Sequence, residues 1–275
     1  MAGPTVADGE PAPFELTLYG GAPERRYRKL RPDLLRMPWE ELSSDGAPPE
    51  VIAAARLGWT RAALQEYASA DAQALMLRWL VRARAPLDLS AVASRFSLDE
   101  LAHAELCARV AERLGGGATI PHCEEVLYAT GKASQEAELE AARQVVWNCC
   151  VSESWSHAIL TAVWTAEKHP LLREVRGRIA KDEAAHAQFG WIYLDWLLPD
   201  LTPEHREWLG RSVAPAVRVI EQGIDATSAL GDEHFHPLCP SGGLGKEGCV
   251  SMAREALKVR VLEPLAERGI VVPRA

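Results

Sequence analysis

The sequence predicts an all-α protein: a bundle of long helices with additional C-terminal helices and an irregular N-terminal arm. Three observations carry this. From about residue 49 the chain runs in long Ala/Leu/Glu/Arg-rich stretches, a composition that favours helix. Short Pro/Gly breaks separate those stretches. No run of alternating β-branched residues stands out as a strand.

The elements follow from the breaks. Residues 1–48 carry many prolines and glycines and little periodicity, and read as an irregular arm lying on the domain. A first helix runs from Pro49 to Arg84 and stops at Ala85-Pro86. A second starts near Asp88 and ends at Gly115-Gly116-Gly117. A loop through Pro121, His122 and Cys123 leads to a third, from Ser134 to Lys168. Pro170 opens a fourth, which ends near Pro199. Thr202-Pro203-Glu204 combines an N-cap with a first-turn proline and starts a fifth, ending around Gly231. A Gly/Pro/His/Cys-rich loop, 231–246, precedes a final helix at 247–268. Short links within the first and second pairs predict antiparallel hairpins, so residues 49–275 read as one helical domain. Its bundle occupies 49–200 and accessory helices occupy 201–275.

Composition narrows the function. A chain of 275 residues buries a core without disulfide or metal staples. A net charge of −8 with no basic stretch argues against a nucleic-acid partner. No apolar run is long enough to span a bilayer, so no membrane partner is expected. The N-terminal segment lacks the features of a signal peptide, which points to the cytoplasm. The six cysteines form no C-x-x-C pair and are expected to be reduced.

The chemistry lies on the helix faces. The second helix carries the stripe Val92, Phe96, Glu100, His103, Cys107, Val110, Leu114. Steps of three and four place these on one face. The fourth repeats the pattern with Leu172, Val175, Ile179, Glu183, His186, Gly190, Tyr193, Leu197. In both, Glu-x-x-His interrupts a core stripe, and an aspartate (Asp99, Asp182) precedes the glutamate. An unpaired buried carboxylate costs about several kcal/mol, so two in equivalent positions need a common compensation. A pair of divalent ions supplies it, since Glu and His three apart offer oxygen and nitrogen ligands to one ion. Glu66 is the only mid-helix glutamate of the first helix, and Glu153 interrupts the third helix's stripe Val146, Cys150, Glu153, His157, Leu160, Trp164. Each hairpin thus presents one glutamate and then a Glu-x-x-His.

This pattern resembles the ferritin-like superfamily of dinuclear iron carboxylate proteins, in its DExxH branch, over residues 55–200. That branch includes multicomponent monooxygenases, ribonucleotide reductase small subunits, acyl-carrier desaturases and aryl-amine N-oxygenases. The resemblance implies a ferritin-like four-helix bundle with Glu100 and Glu183 as bridging carboxylates. It implies Glu66 and His103 on one metal, Glu153 and His186 on the other, and Asp99 and Asp182 as acceptors for the histidine N–H groups. Where many relatives have arginine just before the histidine, this chain has Ala102 and Ala185, so the network behind the ligands differs. His157, one turn beyond Glu153, is the candidate catalytic residue. It is an extra ligand, a proton relay or a bonded core histidine; the extra histidine of N-oxygenases falls here at Ile179.

The implied function is a dioxygen-activating diiron oxidoreductase that hydroxylates or N-oxygenates a small organic substrate. Its cofactors would be two iron ions, with manganese or a mixed pair served by the same ligands, and dioxygen as co-substrate. A separate electron donor is expected, and the last helix offers a homodimer surface. Iron storage or detoxification of the ferritin kind and a manganese-catalase-type activity are the rival readings. Glu105 and Asp71 read as solvated charges, His234, His236 and Cys239 as part of a lid or surface loop, and Tyr67 and Tyr193 as core aromatics near the metal level. Cys150 is expected to line the core while Cys149 packs sideways.

Overall fold

A computed structural model of the chain describes residues 16–120 and 136–273. Helices α1 (Gly21–Leu30), α2 (Pro49–Arg82), α3 (Leu87–Ala93) and α4 (Phe96–Arg113) come first. After the second described stretch begins come α5 (Ala137–Val145), a π-helical segment (Val146–Glu153) and α6 (Ser154–Ala166). Then follow α7 (Pro170–Leu197), α8 (Pro203–Ser228), α9 (Gly245–Ala256), a second π-helical segment (Leu257–Leu262) and α10 (Glu263–Glu267). No strand occurs among the described residues.

Four expectations are corrected. The arm is not wholly irregular: α1 and the 3-10 turns Pro32–Leu35 and Trp39–Glu41 lie within it. Pro23 in the first turn of α1 is compatible with helix, and tertiary anchors sustain a segment too short to persist alone. The predicted second helix is two, because the chain turns at Ser94, whose Oγ donates to the Ala91 carbonyl. Val92 therefore leaves the buried stripe and is 51% exposed. The third helix widens into π-helix over Val146–Glu153, with Ser154 Oγ donating to Cys149 O and Ser152 Oγ to Trp147 O. The last helix widens likewise, just ahead of Pro264, which has no N–H to continue the regular ladder. The Thr202 start holds: Thr202 Oγ accepts from His205 N at 3.2 Å, and His205 Nδ1 accepts from Thr202 N.

Side-chain contacts fix the directions. Ser97 meets Ala70 and Arg56 meets Gly116, so α2 and α4 run antiparallel. Trp191 meets Ser154 and Arg176 meets Glu167, so α6 and α7 do too. The hairpins join through Gln73–Glu153 on one side and Phe96–His186 on the other. Gly190 makes that packing close, because a Cβ there would sit 2.7 Å from Cys149 Cβ and 2.9 Å from the backbone. Cys149 is thus fully buried between Gly190 and Met76, and Cys150 is fully buried as well, rather than one lining the core and one turned aside.

The apolar core is in two parts. One contains Met76, Phe96, Val145, Cys149, Phe189 and Tyr193, extended by Leu209 and Val213 of α8. The other contains Trp59, Ala63, Leu106, Val110, Leu172 and Val175. On α2, α4 and α7 the boundary between them falls where Glu66, Glu100–His103 and Glu183–His186 stand. The polar residues form a layer with hydrophobic packing above and below.

Candidate metal centre

All six predicted ligands converge in this layer. One group comprises Glu66, Glu100, His103 and Glu183; the other comprises Glu100, Glu153, Glu183 and His186. Within each, one ligand atom per residue lies within 4.8 Å of all the others. Glu100 and Glu183 belong to both groups. The helical spacing explains the aim: Glu and His one turn apart on α4 and α7 project from one face of each helix. His103 Nδ1 lies 3.2 Å from Glu183, 3.5 Å from Glu66 and 3.6 Å from Glu100. His186 Nδ1 lies 3.1 Å from Glu100 and 3.2 Å from Glu183. Phe96 lies against the His186 ring at 4.2 Å. Gln73 donates to Glu153 Oε1 at 3.0 Å.

The opposite nitrogens face the aspartates, in a crossed arrangement. His103 Nε2 lies 3.2 Å from Asp182 of α7, and His186 Nε2 lies 3.6 Å from Asp99 of α4. Behind the aspartates stands Arg31, only 2% exposed, with Nη1 2.9 Å from Asp99 and Nη2 3.0 Å from Asp182. Arg95 adds a contact to Asp99 and Arg178 grips Asp182, each one turn before its aspartate.

No family model, no curated protein and no solved structure matches this chain.

The candidate centre therefore rests on its own geometry and charge. Partial burial pushes the Glu66 carboxyl up to about 8, against the pull of His103. Burial, with the Glu183 and Glu100 charges, also raises Glu153. Glu183 is held well below the carboxylate range despite burial, by the two imidazoles that approach it at 3.2 Å. Burial disfavours a charged His186, yet Asp99, Glu100 and Glu183 push it up to about 12. His103 is raised against burial by Glu100, Glu183 and Glu66. Without a metal the layer thus retains protons between its carboxylates. Glu100 Oε1, Glu183 Oε2 and both Nδ1 atoms are nonetheless buried without a hydrogen-bond partner. Buried polar atoms without partners are rare in folded proteins, and metal ions that displace the protons would satisfy them. Four carboxylates and two imidazoles balance two divalent charges and suit iron, manganese or similar ions.

His157 stands apart. It is half-buried and belongs to neither convergent group. Burial lowers its basicity, Glu183 raises it, and Arg260 of the second π segment lowers it. Among the remaining candidates, Glu105 is not a free surface charge: Arg28 holds it at 2.8 Å and Arg109 at 3.0 Å, fastening α1 to α4. The His234–Cys239 stretch is also pinned, with Trp59 Nε1 donating to Leu238 O at 2.7 Å and Cys239 Sγ to Glu233 O. Neither His234 nor His236 joins a metal-capable group among the described residues. Tyr193 is buried against Phe189 and Trp196, and burial raises its hydroxyl. Tyr67 is 41% exposed. The five described cysteines are free, and His122 and Cys123 lie outside the described residues.

Arg31 was not singled out in the sequence, and nothing in its surroundings there marks it. A signal for its partners does exist. Arg95-x-x-x-Asp99-Glu100-x-x-His103 and Arg178-x-x-x-Asp182-Glu183-x-x-His186 extend the internal repeat by one turn.

Proposed function

We propose that this chain is a dinuclear metal-carboxylate oxidoreductase of the ferritin-like kind, acting with dioxygen on a small organic molecule. The observation that carries the reading is the sharing of Glu100 and Glu183 between two ligand groups, each completed by its own glutamate and histidine. Two separate mononuclear sites would not need common carboxylates. The helix directions support it: α4 runs antiparallel to α7, with Phe96 beside His186 and His103 beside Glu183, and α7 antiparallel to α6, so α4 and α6 run the same way, as the second and third helices of ferritin-like bundles do.

Two ions held by these residues, iron by preference and manganese as the alternative, would supply electrons to dioxygen. The chain contributes the rest. Glu100 and Glu183 would serve both ions and Glu66 and Glu153 one each, while Asp182 orients the His103 ring through Nε2 at 3.2 Å and Asp99 faces His186 Nε2 at 3.6 Å. The apolar packing on both sides of the layer excludes water and strengthens every charge interaction inside it. In this reading His157, four residues after Glu153 and outside the two ligand groups, would carry protons at the edge of the site. Electrons would come from a separate donor.

The test is dioxygen consumption by iron-loaded protein with a chemical reductant and a panel of aryl-amine and aromatic substrates. Coupled formation of a hydroxylated or N-oxygenated product supports the reading. Iron accumulating far beyond two per chain as mineral, with no product, would instead indicate storage. Hydrogen peroxide disproportionation by manganese-loaded protein would indicate a catalase.

A further inference from the structure

We infer that Arg31 is a positioning residue for both halves of the proposed metal centre, so that the N-terminal arm is part of the site. The inference rests on the metal reading above and adds a component to it. Arg31 lies where α1 ends, held there by a hydrogen bond from its N–H to Tyr27 O and by Pro32, which disfavours further helix. From that point its side chain enters the interior. Nη1 is bound by Asp99 and Nη2 by Asp182, while Asp33 takes Nε at 3.2 Å and Nη2 at 2.9 Å. Each of those two core aspartates faces the Nε2 of a histidine on the opposite helix.

The symmetry of this network is informative. Arg95 serves only Asp99, and Arg178 serves Asp182 and reaches Asp33; neither touches both core aspartates. Among the described residues Arg31 alone joins Asp99 to Asp182, and so joins the carboxylate that faces His186 to the one that holds His103. Its planar fork suits this task, because two carboxylates can each take a separate N–H in fixed directions. A lysine carries the charge but lacks the fork. The arm thus supplies part of the charge balance of both aspartates. Leu34, 1% exposed, and the Arg28–Glu105 pair hold the arm on either side of Arg31.

The experiment loads metal-free protein with cobalt(II) and records uptake, visible spectrum and release rate to a chelator. The comparison is between wild type, Arg31→Gln, Arg31→Lys and Arg95→Gln, with thermal unfolding of each metal-free protein alongside. Outer partners of metal ligands are worth about 10–100-fold in affinity. Wild type is expected to take up two ions. Arg31→Gln should release both ions about tenfold faster or more, with a changed spectrum. Arg31→Lys should fall between, and Arg95→Gln should affect one ion only. If Arg31→Gln fails to fold, Arg31→Lys alone decides. Wild-type release and spectrum in the Arg31 variants overturn the inference, even if their unfolding temperatures drop. Absence of cobalt uptake by the wild type overturns the metal reading itself, which is a different result.

Discussion

The Glu183 carboxylate on α7 lies 3.2 Å from His103 Nδ1 on α4, so one hairpin supplies the acid to the other hairpin's histidine. It also lies 3.2 Å from His186 on its own helix. A residue so placed belongs to the whole centre rather than to either half. Glu66, by contrast, faces only the His103 side. Replacing Glu183 with alanine should therefore abolish uptake of both metal ions, while Glu66→Gln should leave one ion bound. Metal counting after gel filtration distinguishes the two, and equal losses would argue against a shared carboxylate.

Metal loading should release protons. In the metal-free protein His186 is pushed up to about 12 and Glu66 up to about 8, so both hold protons at neutral pH that a metal must displace. Affinity should rise as pH increases from 6 to 8 and fall as it drops, because protons and metal compete for the same atoms. Calorimetric titration in two buffers of different ionisation enthalpy reads the proton count directly. Identical heats in both buffers would contradict this.

Gly190 should not tolerate a methyl group. The added Cβ would press on the Cys149 and Cys150 backbone, which cannot rotate away as a side chain end can. Gly190→Ala should cost about 1–3 kcal/mol, the usual range for overpacking a tight core. A lower denaturant midpoint at unchanged slope checks it.

The all-α character and the residues of the Glu/His cluster were legible in the sequence, for a physical reason. A carboxylate and an imidazole on an otherwise apolar stripe are costly unless a partner compensates, and helical periodicity exposes the stripe directly. Glu66, Glu100, His103, Glu153, Glu183 and His186 could be read this way because each sits on a long helix. What could not be read depends on contacts distant in sequence. Arg31 reaches Asp99 and Asp182 from a proline-rich segment with little periodicity. Glu105 has an ordinary surface pattern and is half-buried where Arg28 of α1 meets it. The π-helical segment over Val146–Glu153 preserves hydrophobic composition, so residue types do not report the wider turn. His157 stands differently. Its spacing from Glu153 matches a ligand position, yet the convergent groups are complete without it.

The 236–240 loop should depend on one indole hydrogen bond. Trp59 is buried and donates to Leu238 O at 2.7 Å, while Arg176 donates to the Cys239 carbonyl. Trp59→Phe keeps most of the apolar bulk but leaves the carbonyl unsatisfied, at a cost of about 1–3 kcal/mol. Amide hydrogen exchange at Leu238 and Cys239 should quicken, with the α4 and α7 cores unchanged. Uniform quickening throughout the chain would show that the indole supports the whole fold rather than the loop.

The central claim is a dinuclear site built on Glu100 and Glu183, and ferrous loading tests it most directly. Metal-free protein is titrated with iron(II) under argon, the bound iron is counted, and the optical spectrum is followed as dioxygen is admitted. The account predicts two irons per chain and a transient visible absorption, both lost in Glu183→Ala. Uptake that is not stoichiometric, or that Glu183→Ala leaves unchanged, would contradict it.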